Sequence, residues 1–125
     1  MSENRKAREV WSPVAVEQRL AWIDEQITKG VDALAEAYSA YAHAKNALEK
    51  ANARAYMNYS GPAHAKKYAA IIATEQLRDE LTVADIAYHY AKSQAEALKD
   101  QLSAVQSIGA SVRAQYEIAG RGVGA

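Results

Sequence analysis

The sequence predicts an all-α protein: a long antiparallel two-helix hairpin, coiled-coil-like, that assembles into a multi-helix bundle. Three observations carry this. Two apolar stripes repeat in alternating steps of four and three residues, one strong turn signal lies midway between them, and the turn-forming residues are scarce. The 125 residues hold six Gly and two Pro, too few for a many-turned β protein. A chain of this length suits one domain.

Residues 1–11 carry Glu3, Arg5, Lys6, Arg8 and Glu9 without an apolar stripe, and read as a flexible leader. The hairpin is expected over 12–118. Ser12-Pro13 opens its first helix, because a serine hydroxyl can accept from an orphan N–H and proline suits the first helical position. The first stripe is Ile27, Val31, Leu34, Tyr38, Tyr41, Lys45, Leu48, Asn52, Ala55 and Tyr59, a heptad seam. Ser60-Gly61-Pro62 gives the bend, expected at 60–63. Glycine permits a positive φ there, and Pro62 suits the start of a second helix.

The second stripe is Leu77, Leu81, Ala84, Tyr88, Ala91, Ala95, Leu98, Leu102, Val105, Gly109, Val112 and Tyr116, without a single charge. It predicts one helix from Pro62 to Ile118, weakened near Gly109. Residues 119–125, with three glycines, are expected to fray into a flexible tail. Helices of such length run to about 70 and 85 Å, and so short a link makes them fold back on each other.

A two-helix layer hides one stripe of each helix. Ile23, Ile71, Ile72, Ile86 and Tyr90 lie off the seam or widen it, and wet they would form a long apolar strip. Self-association into a homo-oligomer is the expectation. The competing reading is an N-terminal segment that folds back over them.

Composition narrows the chemistry. Fifteen Lys and Arg balance fifteen Asp and Glu, so the chain is not basic overall. It has no cysteine, which excludes disulfide scaffolds, zinc ribbons and thiol catalysis. No apolar run is long enough to span a bilayer, and a cytoplasmic location without membrane contact is expected. No phosphate loop, nucleophile elbow or HExxH motif occurs. Asp85 and His89 share a helix face but imply no third metal ligand. Glu75, Asp79 and Glu80 sit among cations at helical spacing and read as surface ion pairs. The expectation is a non-enzymatic protein with no metal, cofactor or small-molecule substrate.

Charge is segregated. Residues 17–44 and 71–100 each carry a balance of minus three, whereas 45–67 carry plus four. The bend thus gathers Lys50, Arg54, Lys66 and Lys67, interleaved with Tyr56 and Tyr68. Cations neutralise phosphates and flat rings stack on unpaired bases, so these six are the candidate contacts to single-stranded nucleic acid. The alternatives are a solvated end or a protein-docking surface, with the tyrosines closing the seam. Trp11 and Trp22, three helical turns apart, read either as a partner-binding anchor or as a cap on the open end of the bundle.

The stretch from about residue 53 to 117 resembles a family of small alanine-rich helical proteins of phages and prophages, encoded near replication and recombination genes. The residues that carry the likeness are Ala55-Tyr56, Ala73-Thr74-Glu75-Gln76-Leu77-Arg78-Asp79-Glu80 and Leu102-Ser103-Ala104-Val105-Gln106-Ser107. Members often place a lysine just past the Ala-Tyr pair, where this chain has Met57-Asn58. The likeness implies a phage origin, an accessory role in DNA replication or recombination inside the host cytoplasm, and single-stranded DNA or a DNA-bound phage or host protein as partner. It supplies no catalytic residue. The reading outside this resemblance is a protein–protein adaptor or structural protein, a virion part or an inhibitor of a host factor.

Overall fold

A computed structural model describes residues 11–124, with side chains through Gly120. The described residues form helices and no strand. Helix α1 spans Pro13–Asn58, a 3-10 turn spans Ala63–Ala65, α2 spans Lys66–Ala73 and α3 spans Glu75–Gly124. The expected leader lies outside the described residues apart from Trp11. Contacts divide the chain into two units, one of Met1–Lys29 with Glu96–Ala125 and one of Gly30–Ala95.

The first unit holds a small apolar core. Ser12 opens α1 as expected: its Oγ accepts from Ala15 N at 3.2 Å and its carbonyl from Val16 N at 3.0 Å. Val16, Ile23, Val105 and Val112 are buried together, with Trp11, Leu20, Ile27, Leu102 and Ile108 packed against them. Ile23, expected to be left over, is instead the most deeply buried large side chain, at 0 % exposure. It belongs to an inward series of steps of four and three that begins at Val16, three turns before the seam read from the sequence. Gly109 does not interrupt α3. It is buried, and a Cβ there would stand 3.0 Å from Val16 Cγ1, so glycine allows the approach. The helix also continues through Gly124, where a tail was expected from Ala119; Ala125 lies outside the described residues.

In the Gly30–Ala95 unit, α1 turns inward on Leu34, Tyr41, Leu48 and Ala55, as its stripe predicts. The other column is shifted by one residue. Gly30, Ala37 and Ala44 are half-buried, while Val31, Tyr38 and Lys45 are exposed. The smallest residues therefore line the seam and bulkier neighbours rotate to its flank. Tyr88 packs between Tyr38 and Tyr41, with ring centroids 5.4 and 5.6 Å away. On α3 the inward positions match the predicted stripe from Leu77 to Val112 across both units; Tyr116 is exposed.

The break at residues 59–62 falls where the sequence sets it. Gly61 has φ +158°, and a Cβ on it would lie 2.6 Å from Tyr59 Oη. The segment after it is not one helix. It opens as the 3-10 turn, becomes α-helical at Lys66 and breaks again at Thr74, whose φ and ψ are −111° and 19°. The Thr74 hydroxyl donates to Ala70 O at 2.8 Å, competing with the helical ladder. Ile71, Ile72, Ile86 and Tyr90 are exposed as expected.

This burial pattern predicts two outcomes. Ile23→Ala should cost about 2–4 kcal/mol in chemical denaturation, and Ile86→Ala under about 0.5 kcal/mol. Equal costs would contradict the core described here.

Candidate nucleic-acid interface

The candidate residues at the bend all belong to the Gly30–Ala95 unit. Lys50 and Arg54 lie one turn apart on α1, both exposed. Tyr56 is two residues past Arg54, on nearly the opposite side of the helix. The six residues therefore do not form one patch. Lys66 joins Tyr56 across the turn, with its Nζ 4.7 Å from the ring centroid. One ring face is thereby covered by the protein's own ammonium. Tyr68 is the freer ring, 66 % exposed, next to exposed Lys67. Among the described residues, none of the four cations is ion-paired. Tyr59, part of the seam in the sequence reading, is half-buried and lies over Gly61.

Behind the bend stands a polar network that sequence reading did not identify. Thr74 is 3 % exposed. Its Oγ1 accepts from Arg78 Nε at 3.2 Å, and Arg78 Nη2 donates to Asn52 Oδ1 at 3.1 Å. The chain Ala70–Thr74–Arg78–Asn52 thus ties the helix break to α1. A signal existed: Asn52 is a polar residue inside an otherwise largely apolar stripe, and Thr74 and Arg78 are one turn apart. Arg78 is engaged here and not in a surface ion pair. Glu80 accepts from Gln76 Nε2 at 3.4 Å, and neither Glu75, Asp79 nor Glu80 is ion-paired among the described residues. Among the described residues Lys29 pairs with Glu25 at 3.1 Å, and His89 Nδ1 stands 2.9 Å from Asp85 Oδ1.

His89 Nδ1 also stands 2.9 Å from Asp85 O, so the pair is engaged within its own helical turn. Among the described residues no three His, Asp or Glu side chains group as metal ligands. No helix of the described residues is long and apolar enough to cross a membrane.

The tryptophans belong to the other unit. Trp11 precedes α1, so helical spacing does not relate it to Trp22. Both nevertheless line one open groove of about 410 Å³ with Arg19, Ile23, Gln101, Ala104 and Val105. Trp11 packs on the buried cluster, which fits a cap. Trp22 is 45 % exposed, with the Arg19 guanidinium 5.4 Å from its ring.

A double-mutant cycle of Asn52→Ala and Arg78→Ala, read by urea denaturation, should give a coupling of about 0.5–1.5 kcal/mol. Additive effects would show that the contact is energetically idle. Comparison of the chain with protein-family models, with curated proteins and with solved structures gave no match.

Proposed function

We propose that this protein acts by binding and not by catalysis, as a self-associating antiparallel helical hairpin whose basic bend contacts single-stranded DNA. The observation that carries the reading is the bend itself. Lys67, without an ion-pair partner among the described residues, adjoins the exposed Tyr68, Lys66 lies on the Tyr56 ring, and Lys50 and Arg54 add two more unpaired cations on a separate face of α1. Cations attract the phosphate backbone without regard to sequence, and an open ring face accepts any base. The phage replication or recombination setting, in the host cytoplasm, rests on the resemblance of residues 53–117.

The antiparallel arrangement is supported by the order of contacts in the Gly30–Ala95 unit. Tyr38 meets Tyr88 while Asn52 meets Arg78, so positions rise along α1 as they fall along α3. Self-association is supported by the thinness of burial. Among the described residues of that unit, Ala70 and Thr74 are the buried ones.

Fluorescence anisotropy with a labelled oligothymidylate tests the DNA reading. Binding should weaken about 50-fold between about 50 and 200 mM salt, as four phosphate contacts require. It should be lost when Lys50, Arg54, Lys66 and Lys67 are changed to Ala. Absence of binding at low salt would remove the direct contact.

The exposed Trp22 beside its groove favours a second reading, a protein–protein adaptor. A partner retained from host lysate after nuclease treatment, and released by Trp22→Ala, is the outcome that this reading expects. A partner that survives Trp22→Ala does not use the groove.

A further inference from the structure

We propose that copies of this chain pair through the outer face of α3, with Val83, Ile86 and Tyr90 as the contact and the two α3 helices running antiparallel. This deepens the self-association proposed above and rests on it. Ile86 and Tyr90 each stand two residues from Tyr88, about 200° around the helix. Tyr88 packs inward on Tyr38 and Tyr41, so the other two face away from the seam. Val83, Ile86 and Tyr90 follow the three-then-four spacing of a helix-pairing stripe, and their exposures are 69, 65 and 66 %. Nothing in the Gly30–Ala95 unit covers them.

Charge selects the occupant and its direction. Between Val83 and Tyr90 the stripe carries no Lys or Arg, so a nucleic acid is excluded as its ligand. Its border toward the bend is acidic, with Glu75, Asp79 and Glu80, whereas its other border is neutral at Ser93 and Gln94. A parallel pair would stack each acid on its own copy. An antiparallel two-fold pair sets the acidic border of one copy against the neutral border of the other, and Ile86 of each copy meets Tyr90 of the other. The three side chains offer on the order of 400 Å² per copy, about half of what a standard specific interface takes from each partner, so the pairing is weak. The dimer is therefore concentration-dependent.

Sedimentation equilibrium of the full chain tests the seam. From about 10 µM to about 1 mM the mass should rise from 13.6 kDa toward about twice that value. The double variant Ile86→Lys/Tyr90→Lys should remain at the lower mass, with helicity by circular dichroism unchanged. A wild-type chain that stays monomeric overturns self-association as a whole. A double variant that assembles like wild type overturns this face alone.

The chain lacks cysteine, so single-cysteine variants give a second, milder readout. On oxidation an equimolar mixture of Ile86→Cys and Tyr90→Cys should form a covalent heterodimer, since residue 86 of one copy faces residue 90 of the other, and Gln76→Cys should not link, since antiparallel pairing separates its two copies by tens of ångströms. Linkage of Gln76→Cys would mean parallel pairing, and linkage of neither would mean that the stripe is not the contact.

Discussion

Gly30, Ala37 and Ala44 line the inner face of α1 in the Gly30–Ala95 unit, and residues this small limit how much surface two helices hide from water. They offer backbone where a leucine would offer a side chain. Val31 and Tyr38, one residue further on, turn out to the flank. Hydrophobic burial then concentrates in the other unit, around Ile23. On the outer face of α3, Val83, Ile86 and Tyr90 stay without cover in the Gly30–Ala95 unit.

The small column of the seam, Gly30, Ala37 and Ala44, is permissive in register, because a slide there replaces one small residue by another. The Asn52–Arg78–Thr74 network answers this with directed bonds. The buried Thr74 hydroxyl must be satisfied, and it and the half-buried Arg78 guanidinium are satisfied together in one alignment. The break at Thr74 belongs to the same device. Its hydroxyl draws on the carbonyl of Ala70 and accepts from Arg78, so local irregularity and cross-helix bond share one side chain.

The helical class, the cap at Ser12, the break at Gly61 and the inward positions of α3 from Leu77 to Val112 were legible, because periodicity and turn chemistry are local signals. The phase of α1 was half legible. Apolar size favours Val31 over Gly30 and Tyr38 over Ala37 as seam residues, whereas close packing favours the smaller of each pair. Ile23 was misjudged because the inward pattern begins at Val16, three turns before the stripe that was read. The interruption at Thr74 and the 3-10 start after Pro62 depend on hydrogen bonds that composition does not reveal. At the bend, charge density was legible but side-chain grouping was not. Nothing in the sequence shows that Lys66 covers Tyr56, or that Lys50 and Arg54 face away from that ring.

The tight turn at Gly61 also orders the events of folding. The Asn52–Arg78 contact closes a separation of 26 residues, whereas Val16 and Gly109 are more than three times further apart along the chain. Loop-closure entropy makes the more distant contact costlier by about 1 kcal/mol if formed first. On this entropy difference alone, the Asn52–Arg78 contact is the cheaper of the two to close first.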